Sequence, residues 1–328
     1  MNTQDAQTAV AGESSRRRLA ARAANEIGRQ TDGPQKRRRK LTSKDIWPYI
    51  FVLPNLLIFT TFTILPTINM FNISMYDSNN GRTFTYVGTQ NYERIFTSAE
   101  FGAIFGRTML FTLLFVGLTI VLATMFAVML NKPFKGRAFF RAVLFLPSLL
   151  SAVVIGLLWG WILDRTNGLL NIILGGLGLP EPGWLVDGKL AFIVIVLVGL
   201  WMHTGFYTLI MLSGLQGIDP SVYEAAAIDG ASQRQQLFGI TLPLLRPTML
   251  VVLILSTISG FQSFDFIWTL TGGGPVGATT LMVQFIYESA FEPPIRYGLA
   301  SAGGVVLFFV VLLFTLINYF SNRKSGAV

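Results

Sequence analysis

Apolar runs of about 20 residues recur along this chain, and a helix of that length crosses the ~30 Å hydrocarbon layer of a bilayer. Six such runs can be drawn, over residues 46–70, 108–130, 142–163, 191–213, 248–270 and 299–320. No soluble core needs so many, and the surface charge a soluble domain requires is missing. The chain is 52% hydrophobic and only 13% charged, with a mean hydropathy of +0.55. Membrane barrels would show short alternating strands instead. The sequence therefore predicts an all-α polytopic membrane protein with about six transmembrane helices. The first run is expected to be broken by Pro48, Pro54 and Pro66.

Charge divides the chain into three parts. Residues 1–45 hold Arg16-Arg17-Arg18 and Lys36-Arg37-Arg38-Arg39-Lys40 with few large apolar side chains. They read as a disordered basic cytoplasmic tail that touches anionic membrane lipid. The net charge of +8 sits largely there, so no nucleic-acid partner is expected. Residues 46–322 form the transmembrane domain and 323–328 a short C-terminus. Lys132, Lys135, Arg137 and Arg141 cluster in the second interhelical loop, and Arg323-Lys324 follow the last run. By the positive-inside rule both termini are cytoplasmic.

Several chemistries are excluded. The absence of Cys removes disulfides, thiolate metal sites and Cys nucleophiles, and a single His, His203, removes a multi-histidine metal cluster. No G-x-x-x-x-G-K-[ST] phosphate loop is present, so ATP has no obvious site. H-E-x-x-H and G-x-S-x-G are missing as well, which argues against an intramembrane enzyme. No cofactor is expected. Gly272-Gly273-Gly274-Pro275 reads as an external turn rather than a phosphate nest. No long internal repeat is visible.

One polar stretch, Tyr223 to Pro243, interrupts the apolar pattern on the cytoplasmic side. Asp219 followed by Pro220 predicts a helix start, and Ala225, Ala226 and Ala227 favour its continuation. Gly230 should end that helix in a left-handed conformation. Ser232 should cap a second short helix through Leu237, Phe238 and Ile240, stopping before Pro243. Such a helical hairpin either docks on another protein or lies in the membrane interface.

Glu224-Ala225-Ala226, Gly230, Ile240, Leu242 and Pro243 match every defined position of E-A-A-x₃-G-x₉-I-x-L-P. In this the chain resembles the binding-protein-dependent ABC importer permeases, whose coupling loop carries that signature. V-G-T-Q-N-Y-E-R-I-F (from Val87), K-G-R-A-F-F-R (from Lys135), F-D-F-I-W-T-L-T-G-G-G-P (from Phe264) and Y-G-L-A-S-A (from Tyr297) resemble the carbohydrate-uptake branch. Together with P-Y-I-F-V-L-P-N-L (from Pro48) they are similar to the maltose- and glycerol-phosphate-type subunit with the external N-Y loop. Only the tail lies outside the resemblance.

The resemblance implies a type I importer permease fold and no catalysis. It implies a heterodimer with a second permease subunit, two separate ATP-binding subunits and an extracytoplasmic solute-binding protein. The hairpin 219–243 would be the coupling element, with Glu224 making a polar contact to the ATPase. Ala225 and Ala226 would pack closely there, Gly230 would form the turn, and Ile240, Leu242 and Pro243 would complete the loop. Transported solute would be a sugar or related polyol. Its path, carried over from maltose-type relatives, would pass Met202, His203, Ser256 and Ser263, with Gln262, Trp201 and Trp268 nearby. Maltose-type sequences are richer in Asn at these positions. The competing reading is an autonomous secondary transporter or channel, which would leave the loop signature unexplained.

Overall fold

The computed structural model describes residues 20–23 and 43–323. The expected tail over 1–45 and the C-terminus over 323–328 lie almost wholly outside these. The chain divides into two compact units, 1–64 and 65–328. In the first, helix α1 (Ser43–Phe59) leads into a π-helical turn, Thr60–Ile64. Pro48 and Pro54 lie inside α1 and do not break it, contrary to expectation. In an apolar run every backbone group that left the helix would go unsatisfied, so the helix tolerates the bond a proline removes.

The second unit starts with α2 (Leu65–Ile73) and a two-stranded antiparallel hairpin, β1 (Tyr76–Asp77) and β2 (Thr85–Tyr86), with Tyr76 opposite Tyr86. Short α3 (Gln90–Thr97) follows, then the long α4 (Ala99–Asn131). The third apolar run forms α5 (Arg137–Phe145), a 3₁₀ turn (Leu146–Leu149) and α6 (Ala152–Ile162). After α7 (Leu169–Gly176) comes the second long helix, α8 (Gly188–Gln216). The polar stretch holds α9 (Pro220–Ile228) and α10 (Gln233–Gln236), and a π turn (Leu237–Thr241) joins α10 to α11 (Leu242–Phe261). The chain closes with α12 (Asp265–Thr271), α13 (Met282–Phe291) and α14 (Tyr297–Arg323).

Among the described residues five helices are long and apolar enough to span a membrane, and six if the bent third run counts as one. Three expected boundaries move. The third run is not one rod, because its two halves meet at 101° around Leu150 and Ser151. The fifth run ends at Phe261, and residues up to Leu270 belong to the separate α12. The hairpin's second helix does not stop before Pro243 but continues through the π turn into α11. A π turn widens the helix and shifts its bonding, as in Leu242 N–H to Leu237 O, which leaves room for the proline ring.

The core sits between α4, α8, α11 and α12. Phe111 and Phe115 stack with ring centroids 5.8 Å apart and pack with Val194, Ile195, Val198, Val252, Phe266 and Ile267. Small residues set the closest approaches. A Cβ on Gly205 of α8 would collide with the Leu144 carbonyl of α5, and one on Gly156 of α6 with the Phe266 carbonyl and Thr269 side chain of α12. Lipid tails are as apolar as Leu, so such backbone proximity and its dispersion contacts hold membrane helices together.

Candidate functional site

Two places in the second unit combine unusual backbone with polar side chains. The first is the hairpin. The Asp219 carboxylate accepts from the Ser221 N–H at 2.9 Å, and Pro220 occupies the first turn, where no N–H is needed. Bonds from the Ser221 backbone and side chain hold the Asp219 carboxyl below its ordinary range. Helix α9 ends in a Schellman arrangement. The Ala231 N–H donates to Ala226 O at 2.9 Å and the Gly230 N–H to Ala227 O at 3.1 Å, with Gly230 at φ +77°. Ser232 and Gln235 then form a capping box at the start of α10.

Tyr223 Oη meets Thr241 Oγ1 at 3.1 Å, and Gln236 Nε2 donates to Ala231 O at 3.1 Å, so the two arms of the hairpin are tied. Lys132 Nζ donates to Gln233 Oε1 at 3.1 Å, linking the hairpin to the α4–α5 loop. Glu224 and Ala225 are exposed, as are Ile228 and Phe238 at 87% and 60%. Ala226, by contrast, is buried. Ile240, Leu242 and Pro243 are half-buried at the π turn, where they shape the entry to α11.

The second place is a cavity of about 200 Å³ where α8, the start of α6 and the α11–α12 break meet. Met202, His203, Gln262 and Ser263 all line it. The break at Gln262–Phe264 is what exposes Gln262, and irregular backbone in a membrane domain is tolerated where it borders a cavity. His203 Nδ1 lies 3.0 Å from Gly199 O. A carbonyl only accepts, so Nδ1 carries the hydrogen and Nε2 of the neutral ring is left as an acceptor. The ring is held edge-on to Phe115, centroids 5.5 Å apart.

Ser256 does not join this group. It is fully buried and its Oγ donates to Leu253 O at 3.3 Å, away from the cavity lining. Ser259 takes its place, accepting from Tyr207 Oη at 3.0 Å, while Ser263 Oγ donates to Ser259 O at 2.8 Å. The i, i+4 spacing of Ser259 and Ser263 could have signalled Ser259 from sequence. Trp201 and Trp268 stand outside the lining, Trp201 edge-on to Trp159 and Trp268 in a cluster with Phe264 and Tyr287. Asp265, Phe264, Phe266 and Ala152 complete the wall.

Similarity to known proteins follows the same elements. Residues 116–326 match the family described as binding-protein-dependent transport system inner membrane component. The trehalose/maltose transport system permease protein MalF of Thermococcus litoralis is 38% identical over 272 residues, covering 82% of this chain and 91% of that protein. The multiple sugar-binding transport system permease protein MsmF of Streptococcus mutans is 32% identical over 87% of this chain and 98% of its own length. A chain of the bacterial alginate ABC transporter, solved with an alginate pentasaccharide-bound periplasmic protein, superposes with a TM-score of 0.77 at 24% identity. It covers 87% of this chain and 99% of its own.

Proposed function

The chain belongs to the family of binding-protein-dependent transport system inner membrane components, and on that premise we propose that it imports a sugar or related polyol. It is a multi-pass membrane protein and a permease subunit, not an enzyme. The named sugar-transport relatives at 38% and 32% identity carry the solute class. The cavity chemistry agrees, since hydroxyl-bearing solutes need a few donors and acceptors set in an apolar wall. Gln262, Ser259, Ser263 and His203 Nε2 supply them beside Met202, Phe264 and Phe266.

At about 200 Å³ the cavity is smaller than the ~300–1,000 Å³ of typical ligand pockets. A path shared with a second permease subunit would supply the missing wall. Two ATP-binding subunits drive the cycle from the cytoplasmic side through residues 219–243, and a solute-binding protein delivers the sugar from outside. Exposed Glu224 and Ala225 on α9, together with exposed Phe238, form the docking face of the hairpin. Gly230, Ile240, Leu242 and Pro243 fix its angle to α11. Basic residues in the Lys132–Arg141 loop support cytoplasmic termini.

The deciding experiment reconstitutes the chain with its second permease, ATPase and candidate binding proteins in proteoliposomes. ATP hydrolysis should rise when a sugar-loaded binding protein is added, with matching uptake. Stimulation only by a binding protein loaded with a non-sugar solute would overturn the substrate class.

A further inference from the structure

Helix α5 carries an unbalanced charge. Arg137 and Arg141 lie one turn apart on the same face, and residues 132–163 contain two further lysines, Lys132 and Lys135, but no acid. Arg137 Nε and the Nε and Nη2 of Arg141 are sealed from solvent without a hydrogen-bond acceptor among the described residues. Both side chains are otherwise only half-buried. Each arginine is thus stripped of water along one edge and open along another. A partly dehydrated guanidinium binds anions more strongly than a hydrated one, and its planar fork suits phosphate oxygens.

The opposite side of α5 is greasy. Phe139 is 68% exposed and Val143 49%. The bend of 101° swings α5 off the axis of α6, so this amphipathic segment leaves the line of the span that follows it. Aromatic side chains on one face and arginines on the other are the pattern of a helix seated between acyl chains and headgroups. Lys132, at the head of the loop, is bonded to Gln233 of the hairpin and so places the basic face at the hairpin's end of the molecule.

We propose that Arg137 and Arg141 hold the phosphate of an anionic glycerophospholipid, with Phe139 and Val143 against its acyl region. The inference rests on the membrane-permease reading but on neither the sugar nor the ATPase, and its test needs no transport. Bound lipid here would fix the α4–α5 loop, and through Lys132 the base of the hairpin.

The test is native mass spectrometry of the full chain, with its second permease, extracted from bilayers holding phosphatidylglycerol and phosphatidylcholine in equal amounts. Wild type should retain phosphatidylglycerol selectively, and equal retention of the two lipids would overturn the proposal. Arg137→Gln with Arg141→Gln should weaken that retention about thirtyfold. Arg141→Lys, which keeps the charge, should restore most of it when paired with native Arg137. As a control for general charge loss, Arg94→Gln, whose partner is Asp77 at 3.8 Å, should leave retention unchanged. Inorganic phosphate that displaced the lipid at millimolar concentration would identify a free-anion site and refute the lipid. If the double variant kept its lipid but lost the second permease, the counter-anion would be a protein carboxylate and the proposal would fail.

Discussion

At Gly230 the backbone sits at φ +77° with open space where a Cβ would project. Valine there meets no neighbour, so its cost is conformational, about 1–2 kcal/mol or more for a β-branched residue. Gly230→Val should leave membrane levels near wild type while abolishing binding-protein-stimulated ATP hydrolysis and uptake together. Immunoblotting of membranes beside both assays checks this, and full uptake would remove the hairpin from the coupling route. Glu224→Lys acts on exposed α9 and should weaken ATPase association by about 1–3 kcal/mol, measured as a shift in the concentration needed for assembly. The serines separate by whether they line the cavity. Ser259→Leu or Ser263→Leu fills the cavity and should impair uptake in a complex that still assembles. Ser256→Leu instead overpacks a fully buried site, costing roughly 1–3 kcal/mol, and should lower the melting temperature before it alters solute affinity.

Among the elements, the loop around β1, β2 and α3 explains its own Asn-Tyr pair. Asn91, fully buried, donates from Nδ2 to the carbonyls of Ser74 and Tyr76, each at 2.9 Å, and Tyr92 Oη meets Ser74 Oγ at 2.7 Å. The pair staples the end of α2 and β1 to α3. Asn91→Ala leaves two carbonyls under-satisfied and should cost about 1–3 kcal/mol, read as a lower melting temperature in detergent. Asp219 offers a pH-dependent element. Because its folded pKa is depressed, its cap contributes stability above the unfolded carboxylate value and loses it as pH falls through the lower folded one. Carboxyl-carbon NMR should place that titration below the ordinary aspartate range. The caps at Asp219, Gly230 and Ser232 were legible in the sequence because capping is decided by neighbours within one turn. The breaks at Leu150–Ser151 and Gln262–Phe264 were not. Each is stabilised by contacts remote in sequence, such as Gly205 against Leu144, and the apolar run reads the same whether the helix bends or not. Ser256 was carried over from maltose-type relatives rather than read from a helical face, and the structure sets it outside this cavity's lining.

At the scale of the whole molecule the absence of Cys makes topology directly measurable. A cysteine introduced at Ser232 should resist impermeant reagent in intact cells and react after permeabilisation, whereas one at Asn80, in the β1–β2 turn, should react from outside. Labelling of both from outside would reverse the hairpin's proposed side. Span number was readable because length and hydropathy alone set it, and the family signature was readable because its spacing is rigid. What the sequence concealed is that the hairpin and the cavity share one piece of helix. From Gln233 to Phe261 the chain runs without a break, 29 residues or about 44 Å at 1.5 Å per residue. That rod starts one residue after the Ser232 cap and ends one residue before Gln262. On the proposed reading it would behave as an oar whose blade is at the cavity and whose handle is at the docking face of the hairpin. A tilt of about 5° about its Gln233 end would carry the far end roughly 4 Å, more than a hydrogen bond's reach, given that helical length. Small angular play at the handle is enough to make or break every polar contact at the blade, and the π turn at Leu237–Thr241 is where the shaft would flex first.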